Sequence, residues 1–183
     1  MRRALLYIIF ITTVGYLSYN TLMEINTPKV NERLNRLPCH KNIIAFERSY
    51  DTKSLNKAKE LLLGGNYQIK SDIDKAQFMK STLFNFISLK NTDQYFYKLI
   101  DEKTKKARAY QNGITVDYTI FENDLDDPKK KSPKSKLYRG YVVLKIKNSN
   151  NKVLYQVQID FMDHKGKDIY KTLDCALESF LTY

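Results

Sequence analysis

Apolar positions along the chain fall into three regimes. Residues 4–23 carry no charge and are diluted only by polar residues such as Thr12, Thr13, Ser18, Asn20 and Thr21. Twenty helical residues rise about 30 Å, the hydrocarbon thickness of a bilayer, so this stretch predicts a transmembrane anchor. Arg2 and Arg3 precede it, and the positive-inside bias then predicts a cytoplasmic N-terminus and an exported body. Cleavage as a signal peptide is the competing reading. Its best small-x-small site, Thr13-Val14-Gly15, would leave an apolar core of only about ten residues. Residues 24–41 are polar, with Pro28 and Pro38 near the ends, and read as a stalk. Residues 42–183 remain for one exported domain.

The second regime has helical spacing. The apolar run 42–46 reads as a first strand or as the lead into a helix. Asp51 or Ser54 can cap that helix, because either oxygen accepts from a free N–H of the first turn. Leu55, Ala58, Leu61 and Leu62 form its stripe, and Gly64-Gly65 ends it. A second helix is expected behind Ser71, with Ile73, Ala76, Met79, Leu83, Phe86 and Ile87 on one face. Asn91-Thr92-Asp93 breaks the chain. A third helix is expected over about 94–110, with Phe96, Leu99, Ile100 and Ala107 inward.

The third regime has period two. Ile114, Val116, Tyr118 and Ile120 alternate with Thr115, Asp117 and Thr119, as in a half-buried antiparallel strand. Val142, Leu144 and Ile146 mark a second strand over 137–147. Val153, Tyr155, Val157, Ile159 and Phe161 mark a third over 153–162. Asn148-Ser149-Asn150-Asn151 joins them as a hairpin, since Asn tolerates positive φ. A four-residue loop there pairs Lys147 with Lys152 and Ile146 with Val153. Ile169, Leu173, Ala176, Leu177 and Phe180 make the stripe of a last helix. The fold class expected is α+β: a transmembrane helix, a helical half, a three-stranded antiparallel meander, and a C-terminal helix packed on the sheet.

Charge adds a partner class. The 183 residues include 31 Lys and Arg against 20 Asp and Glu, a net charge of +11. Such a body attracts acidic protein surfaces or anionic lipid headgroups, and with an exported address no nucleic acid is expected. The segment 122–136 is first acidic and then basic, and it is interrupted by Pro128 and Pro133. It reads as a mobile loop. Lys129, Lys130, Lys131, Lys134 and Lys136, with Arg139, form its candidate basic surface patch.

The chain has two cysteines, Cys39 and Cys175, both beyond the apolar stretch. An even pair in an oxidising compartment reads as a disulfide. Cys175 lies about 120° from the middle of its helix's apolar stripe, at 100° per residue, on a flank where the Cys39 segment could be stapled.

Catalytic signatures are not found. His40 and His164 are the only histidines. Neither has a placed nucleophile, and G-x-S-x-G, H-E-x-x-H and C-x-x-C do not occur. His164 with Asp160, Asp163 and Asp168 lacks a recognisable ligand spacing, so neither metal nor cofactor is expected. The expected function is a membrane-anchored, non-enzymatic binding or scaffolding component of a cell envelope with a protein partner. The alternatives are a periplasmic inhibitor or immunity protein, and an anchored hydrolase or transferase.

Overall fold

Period-two alternation extends further along the chain than the sequence reading allowed, and it builds one mixed sheet of five strands. The structure is a computed structural model that describes residues 36–41, 43–104, 106–130, 132–133 and 137–183. The strands are β1 (Ala45–Ser49), β2 (Tyr67–Asp74), β3 (Ile114–Glu122), β4 (Gly140–Lys147) and β5 (Val153–Phe161). Their order across the sheet is β1-β5-β4-β3-β2. Only β2 and β3 run parallel; every other neighbour pair is antiparallel.

Three α-helices accompany the strands among the described residues: α1 (Thr52–Leu63), α2 (Leu89–Asp101) and α3 (Ile169–Thr182). A parallel pair cannot be closed by a hairpin, so a crossover must join β2 to β3, and α2 lies within it. Asp51 caps α1 by accepting from the Ser54 N–H at 3.2 Å. Ser88 caps α2 by accepting from the Asn91 N–H at 3.4 Å.

The core lies between the sheet and the helices. Val116, Tyr118, Ile120, Val142, Leu144, Ile146, Val157, Ile159 and Phe161 are fully buried on the inner face. Leu173, Ala176, Leu177 and Phe180 of α3 share this core with Phe96 and Ile100 of α2. The Phe96 and Tyr118 rings meet edge to face at 5.3 Å. Three phenols tie the layers together. Tyr118 donates to Asp93 at 2.6 Å, Tyr67 to Asp101 at 2.5 Å, and Tyr95 to Asp174 at 2.6 Å.

The expected three-stranded meander and helical half are therefore corrected. The helix expected behind Ser71 is instead β2 followed by irregular chain and a short 3-10 turn at Leu83–Asn85. Tyr67, Ile69, Ser71 and Ile73 alternate with Gln68, Lys70, Asp72 and Asp74, so the stretch fits period two as well as 3.6. Pairing with β3, from Tyr67↔Ile114 to Asp74↔Phe121, decides between them. Local periodicity cannot see a partner strand some 47 residues away, the separation of Gln68 and Thr115. Asn91, Thr92 and Asp93 sit in the first turns of α2 rather than breaking it. The run 42–46 does lead into a strand, β1. The hairpin register also differs: Ile146 faces Tyr155 and Lys147 faces Val153, across a bulge.

The expected anchor over residues 4–23, and most of the stalk, lie outside the described residues. Among the described residues, no helix is long and apolar enough to cross a membrane. The single-pass inner-membrane placement, and the exported address read from it, are accordingly not supported.

Cys39 and Cys175 form a disulfide, with Cα atoms 5.9 Å apart. It fastens the 3-10 turn Pro38–His40 to α3. Elsewhere the irregular stretch after β2 is held by two carboxylates. Glu122 accepts from the N–H groups of Thr82 and Leu83, each at 3.0 Å, and Asp124 from those of Gln77 and Phe78, each at 2.6 Å. These N–H groups have no ladder to join, and a charged acceptor satisfies them. Gly166, at φ +69, closes the turn before α3, where a Cβ would stand 2.3 Å from Ile87 Cδ1.

Replacing Tyr118 with Phe tests the tie between sheet and helix. The Asp93 carboxylate would lose a charge-assisted partner, worth about 1.5–3 kcal/mol. Tyr118→Phe should lower the urea midpoint accordingly with an unchanged m-value. An unchanged midpoint would show that the bond contributes nothing.

Candidate interaction face

The second face of the sheet is organised in rows that the strand registers define. One row runs Asp160, Tyr141, Phe121, Asp74 across β5, β4, β3 and β2. The next runs Phe46, Gln158, Val143, Thr119, Asp72, beginning on β1. A third runs Arg48, Gln156, Lys145, Asp117, Lys70. The apolar and aromatic members of the first two rows are Phe46 on β1, Tyr141 and Val143 on β4 and Phe121 on β3. The third is charged throughout, apart from Gln156.

Apolar surface concentrates at the β1 side. Phe46 is 63% exposed although it sits within a strand. Ile44, two residues earlier, is 42% exposed, and Met162, just past β5, is 46% exposed. Arg48 lies 5.6 Å from the centre of the Tyr50 ring, a cation–π arrangement beside this group. Further in, Tyr141 stacks on Phe121 at 4.7 Å, and Tyr138 meets Tyr141 edge-on at 6.2 Å.

Asp160 is the unusual member of the first row. It is 2% exposed, and its Oδ1 has no hydrogen-bond partner. Burial pushes its carboxyl pKa up to about 6, against the opposing pull of a hydrogen bond from Gln158. The same carboxylate, after burial, raises the pKa of Tyr138.

The basic patch read from sequence divides in the structure. Arg139 is taken up by Glu122, Nη2 to Oε1 at 2.8 Å, and also donates to Thr82 Oγ1 at 2.6 Å. Burial alone would raise the pKa of Glu122. The Ser81 hydroxyl and the N–H groups of Thr82, Leu83 and Ala76 outweigh burial and hold it low. Lys130 donates to Asn123 Oδ1 and lies 6.0 Å from the centre of the Tyr138 ring. Lys129 lies in the turn that Asp127 organises, its backbone N–H donating to Asp127 Oδ1. Lys131, Lys134 and Lys136 lie outside the described residues.

Asp163 and Asp168, weighed as metal ligands with His164, act as turn caps. Asp163 accepts from the Lys165 and Lys167 N–H groups, and Asp168 from that of Met162. Among the described residues the cluster of ligand-type atoms that does form is Cys39, His40 and Cys175, with one such atom from each lying within 4.8 Å of the others. Spacing could not reveal it, because His40 and Cys175 are 135 residues apart in the sequence.

No protein-family model matches the chain. No curated protein matches it either. Among solved structures it is similar to a PelC dodecamer from Paraburkholderia phytofirmans. The identity is 12% and the TM-score 0.41, over 75% of this chain and 98% of that one. A likeness that remote bears on neither mechanism nor partner.

The raised pKa of Asp160 gives a pH test. The folded protein holds this proton more tightly than the unfolded chain, whose value is near 3.8. The contribution is fully present below 3.8 and is lost as pH rises through about 6. Asp160→Asn should therefore raise stability by about 1–3 kcal/mol well above pH 6, following 1.36 kcal/mol per pKa unit. It should gain nothing well below pH 3.8. Urea unfolding at the two pH values checks this, and a pH-independent difference would contradict it.

Proposed function

We propose that the chain is a non-enzymatic binding module that docks a protein partner on the outer face of its sheet. The observation that carries this reading is Phe46, 63% exposed although it sits within a strand. Burying a Phe side chain gains about 1.5–3 kcal/mol, so a partner that covers Phe46, Ile44 and Met162 gains affinity directly. Aromatic and Met side chains at the centre of a patch, with charge at its rim, is the usual anatomy of a protein interface.

The partner's chemistry follows from charge. On the β1 side Arg48 and Lys145 stand in the row next to Phe46, Asp117, Asp72 and Asp74 lie farther across on β3 and β2, and the whole chain carries +11. The complementary surface is apolar at its centre and acidic at its edge. Such a complex forms fast at low salt and weakens as salt screens the rim.

A photocrosslinking phenylalanine analogue in place of Phe46 should capture one acidic protein in the native host. The same analogue in place of Asn150, in the distal hairpin, should not. The purified partner should bind the wild type and bind Phe46→Glu at least about tenfold more weakly, a loss of about 1.4 kcal/mol. Phe46→Glu should still fold with an unchanged urea midpoint. Equal affinity for the variant, or capture from both positions alike, would overturn the reading.

A further inference from the structure

We propose that the Cys39–His40–Cys175 cluster is a redox-gated site for a thiophilic divalent metal ion: closed as a disulfide, and metal-binding once reduced. In the oxidised protein both sulfurs are held in the bond. A dithiol reductant breaks that bond by supplying two electrons and two protons, and is itself left as a disulfide. Cys39 and Cys175 become thiols. A Zn²⁺ ion takes both as thiolates and releases their two protons to solvent, while His40 binds through a ring-nitrogen lone pair without losing a proton. Two thiolates and one imidazole are a soft N/S donor set that suits Zn²⁺.

The geometry supports it. The ligand atoms already lie within 4.8 Å of one another. A tetrahedral zinc site needs them about 3.5–3.8 Å apart, given Zn–S near 2.3 Å and Zn–N near 2.0–2.1 Å. Rotamer adjustment reaches that spacing once the sulfurs are unlinked.

The ring is also pre-oriented. His40 is 2% exposed, and its Nε2 lies 2.8 Å from Ser179 Oγ. Ser179 gives its only hydroxyl proton to the Cys175 carbonyl at 2.7 Å, so the imidazole is the donor to Ser179. Metal binding would then go through Nδ1 of the neutral ring. A ligand histidine whose other nitrogen donates to a fixed acceptor is the usual arrangement around protein-bound zinc.

There is room for a fourth ligand. A cavity of about 170 Å³ borders Cys39 and Cys175, with Thr172 and Asp168 also in its wall. A water occupies about 30 Å³ in the liquid. Three protein ligands plus a water complete four-coordination. The ion would also restore the link between the Pro38–His40 turn and α3 that reduction removes.

The test uses the full chain, reduced under anaerobic conditions and freed of reductant, with Co²⁺ as the probe. The reduced protein should take up one Co²⁺ per chain. Its spectrum should show a thiolate-to-cobalt charge-transfer band and the visible bands of a tetrahedral ion, both abolished by added Zn²⁺. The oxidised protein should show neither. His40→Ala should weaken binding at least about tenfold, in line with the loss of a ligand or its support. His40→Gln, closer in volume and able to donate to Ser179, should weaken it similarly. Absence of the thiolate band, unchanged affinity in the folded His40 variants, or unfolding of the chain on reduction would each overturn the proposal.

Discussion

Three phenol–carboxylate hydrogen bonds tie the helices to the covered face of this sheet and to each other. Tyr67 on β2 and Tyr118 on β3 reach Asp101 and Asp93, near opposite ends of α2. Tyr95 then carries the tie from α2 to Asp174 on α3. Each joins a phenol O–H to a carboxylate oxygen at 2.5–2.6 Å, and hydrogen bonds to carboxylates are shorter and stronger than neutral ones. Burial and the Asp174 carboxylate push the Tyr95 pKa up to about 12, so this phenol stays a donor across the ordinary pH range. With α2 and α3 packed on the inner face, the other face carries the Tyr141–Phe121 stack, the charged row from Arg48 to Lys70 and the group around Phe46.

The fastening of β1 follows from the same layout. It has five residues and pairs only with β5 among the described strands, so its own ladder is short. Side chains reinforce it from the inner side. Tyr155 donates to Glu47 at 2.9 Å, and the disulfide anchors the turn that leads into the strand. Loop-closure arguments for a separation of 136 residues put the disulfide's contribution at about 4–5 kcal/mol as an upper figure. The exposed Phe46 is therefore carried on a strand held firmly by its buried side, which suits a surface that must be presented in one geometry.

Much of this was legible where the local pattern had one reading. The inward sets of β3 and β4, that of β5 from Tyr155 onward, the stripe of α3 and the Cys39–Cys175 pair all follow from period and spacing, whereas Leu154 rather than Val153 is buried beyond the bulge. β2 was lost because its alternating set, Tyr67, Ile69, Ser71 and Ile73, runs into the helical spacing of Ile73, Ala76, Met79 and Leu83, and only its pairing with β3 separates the two. The hairpin register was lost to a bulge near Ile146, which no residue type announces. The role of Arg139 was lost because a basic side chain next to a lysine-rich loop looks solvated until Glu122 is brought beneath it. The exposed group was hidden for a similar reason: the run 42–46 shows only that it is apolar, and the exposure of Phe46 emerges once β1 is placed against β5.

The proposed docking surface requires that the outer face around Phe46 be open in the free protein. Solvent paramagnetic relaxation on the full-length chain tests it directly, with a soluble spin label added to isotopically labelled protein. The Phe46 ring and the methyl groups of Ile44 and Met162 should broaden at the first additions, while those of Val116, Leu144 and Val157 stay sharp. If Phe46 resists the probe as the core valines do, another part of the chain covers the face, and the binding surface lies elsewhere.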